Sequence, residues 1–395
     1  MIAMPGRLEA HINPALLVWA RKTAGFMVNE VAEKLKVPPE RLESWERGIE
    51  RPTLGKLRKV ADIYKRPTAI FYLPEPPETP APPHDFRSLD EPTGKYPPAL
   101  LLEIRKARYR REIALDLLDQ LGEESIPFEL RVTTRDDPDA VAAGIRDMLR
   151  ISIKDQFAWK DEYEALRAWR SAVEELGVLV FHTSSNRWHK IEVRKMRGLS
   201  IVEEKLPVIL INSSDTPNGR IFTLIHEFVH LLLHNGGVCD LRDYDHPASN
   251  ERRVEAFCNR VSGAALVPAD HLLDQKIVLE KEGEVWMDAE LGKLSRRFRV
   301  SREVILRRLL TLGRTAQRFY EEKRKQFLEE YSKPKSAGGP VPYYRIGMRN
   351  NGIAYTRLVF RAYYDEYITT ADVSDYLGVK VKHLKDMERE VMRGI

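Results

Sequence analysis

Apolar residues along this chain fall into blocks whose spacing separates helices from strands. Leu16, Leu17 and Ala20, then Val28, Val31, Ala32 and Leu35, then Leu42 and Trp45, then Leu54, Leu57, Ala61 and Ile63 recur at helical spacing. Gly25, the run Val37-Pro38-Pro39 and Gly48 stand between the blocks. Side chains three and four apart share a helix face, so each block predicts a short helix, and the tight turn between the second and third predicts a helix-turn-helix. Further on, Leu100 to Leu121 reads as an amphipathic helix and Tyr163 to Leu176 as another, closed by Gly177. The runs VLVFH and KLPVILIN read as strands. One block departs from the amphipathic rule. Ile221, Phe222, Leu224, Ile225, Phe228, Val229, Leu231 and Leu232 surround His226, Glu227 and His230, so this helix is apolar nearly all round, and polar groups placed there need a reason.

Proline and glycine punctuate the chain into expected domains. LPEPPETPAPPHDFRSLDEPTGKYPPA forms neither helix nor central strand, and sets residues 74–99 apart as a spacer between a helix-turn-helix domain at 1–73 and a central domain at 100–270. Beyond Pro268, LGKLSRRFRVSREVILRRLLTLG predicts a helix, a Val-Ser turn and a second helix, within a basic helical domain at 271–335. The Lys335–Gly339 break then leads to a small domain at 336–395, in which Val373, Leu377 and Leu384 read as packing residues. The fold class expected is α+β: an all-α N-terminal module, a central zincin-like domain with a small sheet, and a helical C-terminal part.

The spacing His226-Glu227-Phe228-Val229-His230 is a metal site with a built-in base. Residues four apart on a helix lie one above the other, about 6 Å apart, so two imidazoles reach one ion. Glu227 is offset around the helix, where its carboxylate reaches a water beside the metal without taking a coordination position. Catalytic zinc usually has three protein ligands. His234 continues the spacing, and Glu255 lies in a second helical pattern with Val254, Phe257, Val261, Ala264 and Ala265. Glu255 is favoured, because a further turn rises about 5.4 Å while zinc–ligand bonds are about 2 Å. His234, just before Asn235-Gly236-Gly237, suits a helix C-terminus. Cys239 and Cys258 lack zinc-finger spacing, and Cys258 reads as a buried small residue.

The stretch MRGLSIVEEKLPVILINSSDTPNGRIFTLIHEFVHLLLH, followed by Glu255-Ala256-Phe257-Cys258-Asn259 and Leu266-Val267-Pro268, resembles the ImmA/IrrE family of zinc metallopeptidases over roughly residues 160–315. The resemblance implies zinc held by His226, His230 and Glu255, with Glu227 as the catalytic base. The chain departs from the family pattern at Cys258 and Val261, a change of packing rather than chemistry. Residues 14–73, with SWERGIERPTLGKLRKVADIY, resemble the Xre/Cro repressor family. That resemblance places a recognition helix at about Pro39 to Arg47, offering Glu40, Arg41, Glu43, Ser44 and Arg47 to a DNA groove, with Lys56, Arg58 and Lys59 suited to phosphates. Trp45 shares a face with Leu42 and belongs to the core.

Charge permits DNA binding without requiring it. Residues 1–74 hold 13 Lys and Arg against 8 Asp and Glu, and residues 293–335 hold 14 against 5, the latter read as a solvated basic face. The chain has no long apolar run, and its start has no signal-peptide core, so a cytoplasmic location is the default and no membrane contact is expected. Together these features predict a DNA-binding zinc endopeptidase that binds an operator as a dimer. It would cleave a protein, a repressor or an antitoxin, in a stress, phage or toxin–antitoxin setting. Candidate donors to the developing oxyanion are Tyr244, His246 and Arg253. The alternative is a transcriptional regulator whose peptidase-like domain is a non-catalytic sensor or interaction module.

Overall fold

The computed structural model describes residues 8–80, 84–85, 96–125, 127–184, 191–193, 195–234, 237–239, 250–332 and 341–392. The chain divides into two compact units: Met1–Pro82 with Pro92–Lys106, and Pro83–Glu91 with Ala107–Ile395.

The first unit is all helical. Helices α1 (Pro14–Thr23), α2 (Val28–Leu35), α3 (Pro39–Glu46) and α4 (Leu54–Tyr64) precede a 3₁₀ turn at Thr68–Tyr72. Each apolar block turns its stripe to one core, in which Leu16, Leu17, Val31, Leu42, Trp45, Leu57 and Phe71 are buried. Asn13 caps α1 by accepting from Ala15 N, and Thr53 caps α4 by accepting from Lys56 N, so the start signals lie where side-chain oxygens satisfy first-turn amides. A long helix, α5 (Pro98–Gln120), contributes its first part to this unit. Gly25, at φ +77°, makes the turn between α1 and α2, and a Cβ there would lie 2.7 Å from Leu101 Cδ1. Arg105 Nη2 donates to Tyr64 O at 3.0 Å and Lys65 O at 2.8 Å, satisfying carbonyls at the end of α4.

The second unit is α+β. Its strands are β1 (His84–Asp85), β2 (Leu179–His182), β3 (Gly198–Ile201), β4 (Val208–Ile211) and β5 (Gly237–Cys239), in the order β1-β5-β3-β4-β2. β2 and β4 run parallel, and β3 lies antiparallel to both β4 and β5. VLVFH and KLPVILIN thus become β2 at the end of the described sheet and β4 inside it. β3 completes the sheet between β4 and β5. The helices before the sheet are α6 (Pro138–Met148), α7 (Ile153–Ala158) and α8 (Glu162–Glu175). Two central helices follow, α9 (Pro217–Leu232) and α10 (Asn250–Leu266), then α11 (Ala269–Leu273), α12 (Lys276–Leu279), α13 (Asp288–Phe298), α14 (Arg302–Thr311) and α15 (Gln317–Ser332). The chain ends in α16 (Tyr343–Asn351), α17 (Ile353–Tyr364), α18 (Thr370–Leu377) and α19 (Leu384–Met392).

Helix α9 is the centre of this unit. It packs against β3, β4, α8 and α10, and every residue from Arg220 to Leu232 is buried. Burying a large apolar side chain contributes about 1.5–3 kcal/mol, so this all-round apolar helix is held by its neighbours rather than by propensity. Its core continues without a break through Leu272, Trp286, Leu291, Ile305 and Phe327. The basic stretch expected as a separate domain at 271–335 therefore shares its core with the residues before it. Segment NNGIAYTRLVFRAYY, readable as strand or helix, is helical in α17, with Tyr355 edge-on to Phe181 of β2 at 5.6 Å.

Candidate metal centre and DNA-facing helix

Helix α9 presents His226 and His230 one turn apart, and α10 brings Glu255 against both. His226 Nε2 lies 3.1 Å from His230 Nε2 and 3.3 Å from Glu255 Oε2, and His230 Nε2 lies 3.1 Å from Glu255 Oε1. All three side chains are buried, and their ligand atoms lie within 4.8 Å of one another. Four zinc bonds of about 2.0–2.1 Å at tetrahedral angles would separate neighbouring ligand atoms by about 3.3–3.4 Å. Two imidazole nitrogens and a carboxylate oxygen already converge at that spacing, so the donor set fits a divalent zinc-like ion.

The electrostatics agree with that fit. Burial pushes the Glu255 carboxyl up, but His230 and His226 outweigh it and hold the group well below the usual carboxylate range. Burial lowers the His226 imidazole, partly offset by Glu255 and reinforced by the guanidinium of Arg307. A neutral imidazole beside an ionised carboxylate is the protonation state a metal requires. Cys258, one turn past Glu255, is a buried free cysteine whose thiol burial pushes up. It belongs to the packing, as its neighbours on α10 imply.

Glu227 is fully buried beside β3. A Cβ built on Gly198 would stand 2.5 Å from Glu227 Oε1 and 2.5 Å from Thr223 Cγ2, so the strand backbone approaches α9 as only glycine allows. Periodicity marked β2 and β4 but passed over this strand, although the alternation in Gly-Leu-Ser-Ile precedes the motif. Arg307 of α14, which acts on His226, was likewise read only as part of a basic face. It borders a cavity of about 480 Å³ with Asn259, Arg308 and Tyr320.

The remaining expected residues separate. His234 is exposed at the end of α9, with φ +50°, and its Nε2 lies 3.2 Å from Leu130 O, away from the three-residue group. Arg253 is exposed on α10. Tyr244 and His246 lie outside the described residues. On α3, Leu42 and Trp45 face the core, while Glu40, Arg41, Glu43 and Arg47 are exposed and Ser44 is half-buried. Arg41 pairs with Glu50 at 3.6 Å and Arg47 with Glu43 at 3.4 Å, exposed pairs weak enough to exchange for another anion. Arg58 and Lys59 are exposed on α4, whereas Lys56 Nζ donates to Leu35 O at 2.8 Å and closes the end of α2.

An HExxH helix backed by a small sheet, a third acidic donor from the next helix and a separate helix-turn-helix unit define a metallopeptidase-like, DNA-binding class of protein. Residues 173–310 match the family described as the IrrE N-terminal-like domain, and residues 17–71 match the helix-turn-helix family, in agreement with the ImmA/IrrE and Xre resemblances. No curated protein matches the chain. Among the described residues no helix is long and apolar enough to cross a membrane.

Proposed function

We propose that this protein is a DNA-binding regulator whose central domain is a zinc-dependent endopeptidase. The observation that carries the reading is the convergence of His226, His230 and Glu255, three buried donors on two helices, with Glu227 on the adjoining face of α9. His226, His230 and Glu255 would hold the ion, which when bound polarises a carbonyl and acidifies water. Glu227 takes the proton of the attacking water and delivers it to the departing amine, and the apolar neighbours on α9 keep bulk water from the carboxylate. The substrate we assign is a protein, a helix-turn-helix repressor or an antitoxin, in a stress, phage or toxin–antitoxin setting. Tyr244, His246 and Arg253 remain the candidates to steady the developing oxyanion. The first unit binds operator DNA as a dimer, with Arg41, Glu43, Ser44 and Arg47 toward the bases and Lys56, Arg58 and Lys59 toward phosphates. The supporting features are the helix-turn-helix match and the exposed polar face of α3.

Two measurements test the peptidase. Purified protein should carry one zinc, lost in Glu255→Ala and kept in His234→Ala; the reverse result removes Glu255 from the ligand set. Zinc-loaded protein, incubated with the product of a neighbouring gene and followed by mass spectrometry, should cleave it. Glu227→Gln should lower that rate by about 10²- to 10⁴-fold while zinc stays bound. An unchanged rate would eliminate Glu227 as the base. Zinc binding with no cleavage of any repressor or antitoxin offered would turn the domain into a sensor.

A further inference from the structure

A second group of buried polar side chains gathers at the opposite end of α9. Arg220 sits in the first turn of that helix and is 6% exposed. Its Nε has no hydrogen-bond partner. Asp215 acts on it from farther off but is itself paired with Arg197 at 3.2 Å. Three effects oppose a cation here: burial, the repulsion of Arg349 and Arg170, and the positive end of the α9 dipole. Burial and then Arg349 pull the guanidinium down to about 10, with Asp215 offsetting only part.

His182, at the end of β2, completes the group. It is 1% exposed, and its Nε2 has no partner. Arg170 Nη1 lies 3.2 Å from its Nδ1, and a guanidinium only donates, so Nδ1 accepts and the proton is on Nε2. Burial, then the charges of Arg170, Arg220 and Arg349, push the imidazole well below its usual range, so the ring is a neutral donor. Arg170 is committed to the protein, donating from Nε to Glu174 Oε1 at 2.9 Å, from Nη1 to Arg349 O at 2.6 Å and from Nη2 to Val180 O. Tyr163 acts on both Arg220 and Arg349 and is 53% exposed, which brings the group within one side chain of solvent.

We propose that Arg220, Arg349 and the Nε2–H of His182 form a binding site for a phosphate group, at the carboxyl end of β2 and the amino end of α9. Two mutually repelling guanidiniums and a helix N-terminus match a dianion, where a carboxylate would offset only one charge. Brought by inorganic phosphate or by a nucleotide, the group would relieve the repulsion and fasten α8, α9 and α16 together.

The test uses full-length, zinc-loaded protein, titrated calorimetrically with inorganic phosphate, with a nucleoside monophosphate, and with chloride at matched ionic strength. Saturable binding of phosphate and not of chloride is expected. Tighter binding of the nucleotide would identify a nucleotide as the source, and equal or weaker binding the free ion. Arg220→Met and His182→Leu should each weaken phosphate binding at least about tenfold with zinc content unchanged. Arg220→Met should also melt no lower than the parent without phosphate, since it removes a buried, poorly compensated charge. Phosphate that binds no better than chloride to the unaltered protein overturns the proposal, as does undiminished binding by a folded Arg220→Met.

Discussion

Gly198 shows how a residue with no chemistry of its own positions one that has it. The HExxH spacing and Glu255 were legible from the sequence, because helical periodicity alone puts such side chains on a face and a second helical pattern offers the missing ligand. The contact between Gly198 and Glu227 was not legible, since it depends on where a strand lies across the helix. A Cβ at Gly198 would stand 2.5 Å from Glu227 Oε1 and 2.7 Å from its Cγ, and neither α9 nor β3 can retreat from a close-packed core. Gly198→Ala should therefore displace the carboxylate and lower cleavage by about 100-fold, because a shift near 1 Å costs that much at a reacting centre. Zinc content should be retained, since His226, His230 and Glu255 do not touch Gly198. A variant with unaltered kcat would show that the strand does not set the position of Glu227.

At the scale of elements, the third ligand depends on how α10 is anchored. Its last carbonyls have no partners within the helix. Arg146 Nη1 of α6 donates to Ala265 O at 2.8 Å, Gln156 Nε2 of α7 to Leu266 O at 2.9 Å, and Arg308 Nε of α14 to Val267 O at 2.9 Å. Gln156 also donates to Phe298 O at 2.7 Å and accepts from Arg146 at 2.7 Å, so one buried amide joins the ends of α10 and α13 to α6. Individual helices were readable from periodicity, but this junction was not, since Gln156 and Arg146 carry no local signal that their partners lie so far along the chain. It also accounts for the shared core beyond residue 270, where a basic composition had suggested a separate domain. Gln156→Leu would leave two carbonyls and one guanidinium proton without this partner. At about 1–3 kcal/mol for each buried group left unsatisfied, partly recovered by relaxation, the loss should be about 3 kcal/mol in urea unfolding. A loss below about 1 kcal/mol would mean that water replaces the amide without penalty.

For the molecule as a whole, the division of the chain bears on how the DNA-binding half can be isolated. The proline-rich segment reads as a boundary after residue 73 because its composition forbids helix and central strand, and periodicity cannot show that the helix beyond it returns. The first unit instead takes in Pro92–Lys106, where Arg105 bonds Tyr64 O and Lys65 O and Leu101 lies under the Gly25 turn. A fragment of residues 1–73 loses those hydrogen bonds and that apolar cover. It should be less stable than a fragment of residues 1–106 by about 2–4 kcal/mol, from two carbonyl bonds and one buried leucine. The 1–106 fragment should bind DNA from upstream of its own gene, with affinity falling steeply as salt rises. Arg41→Ala with Arg47→Ala should weaken sequence-specific binding, while the same pair in the full chain leaves zinc content unchanged. If 1–106 folds cooperatively and yet shows no salt-sensitive DNA binding, while the full chain captures a protein through that fragment, the helix-turn-helix is a partner adaptor and the DNA-binding part of the proposed function fails.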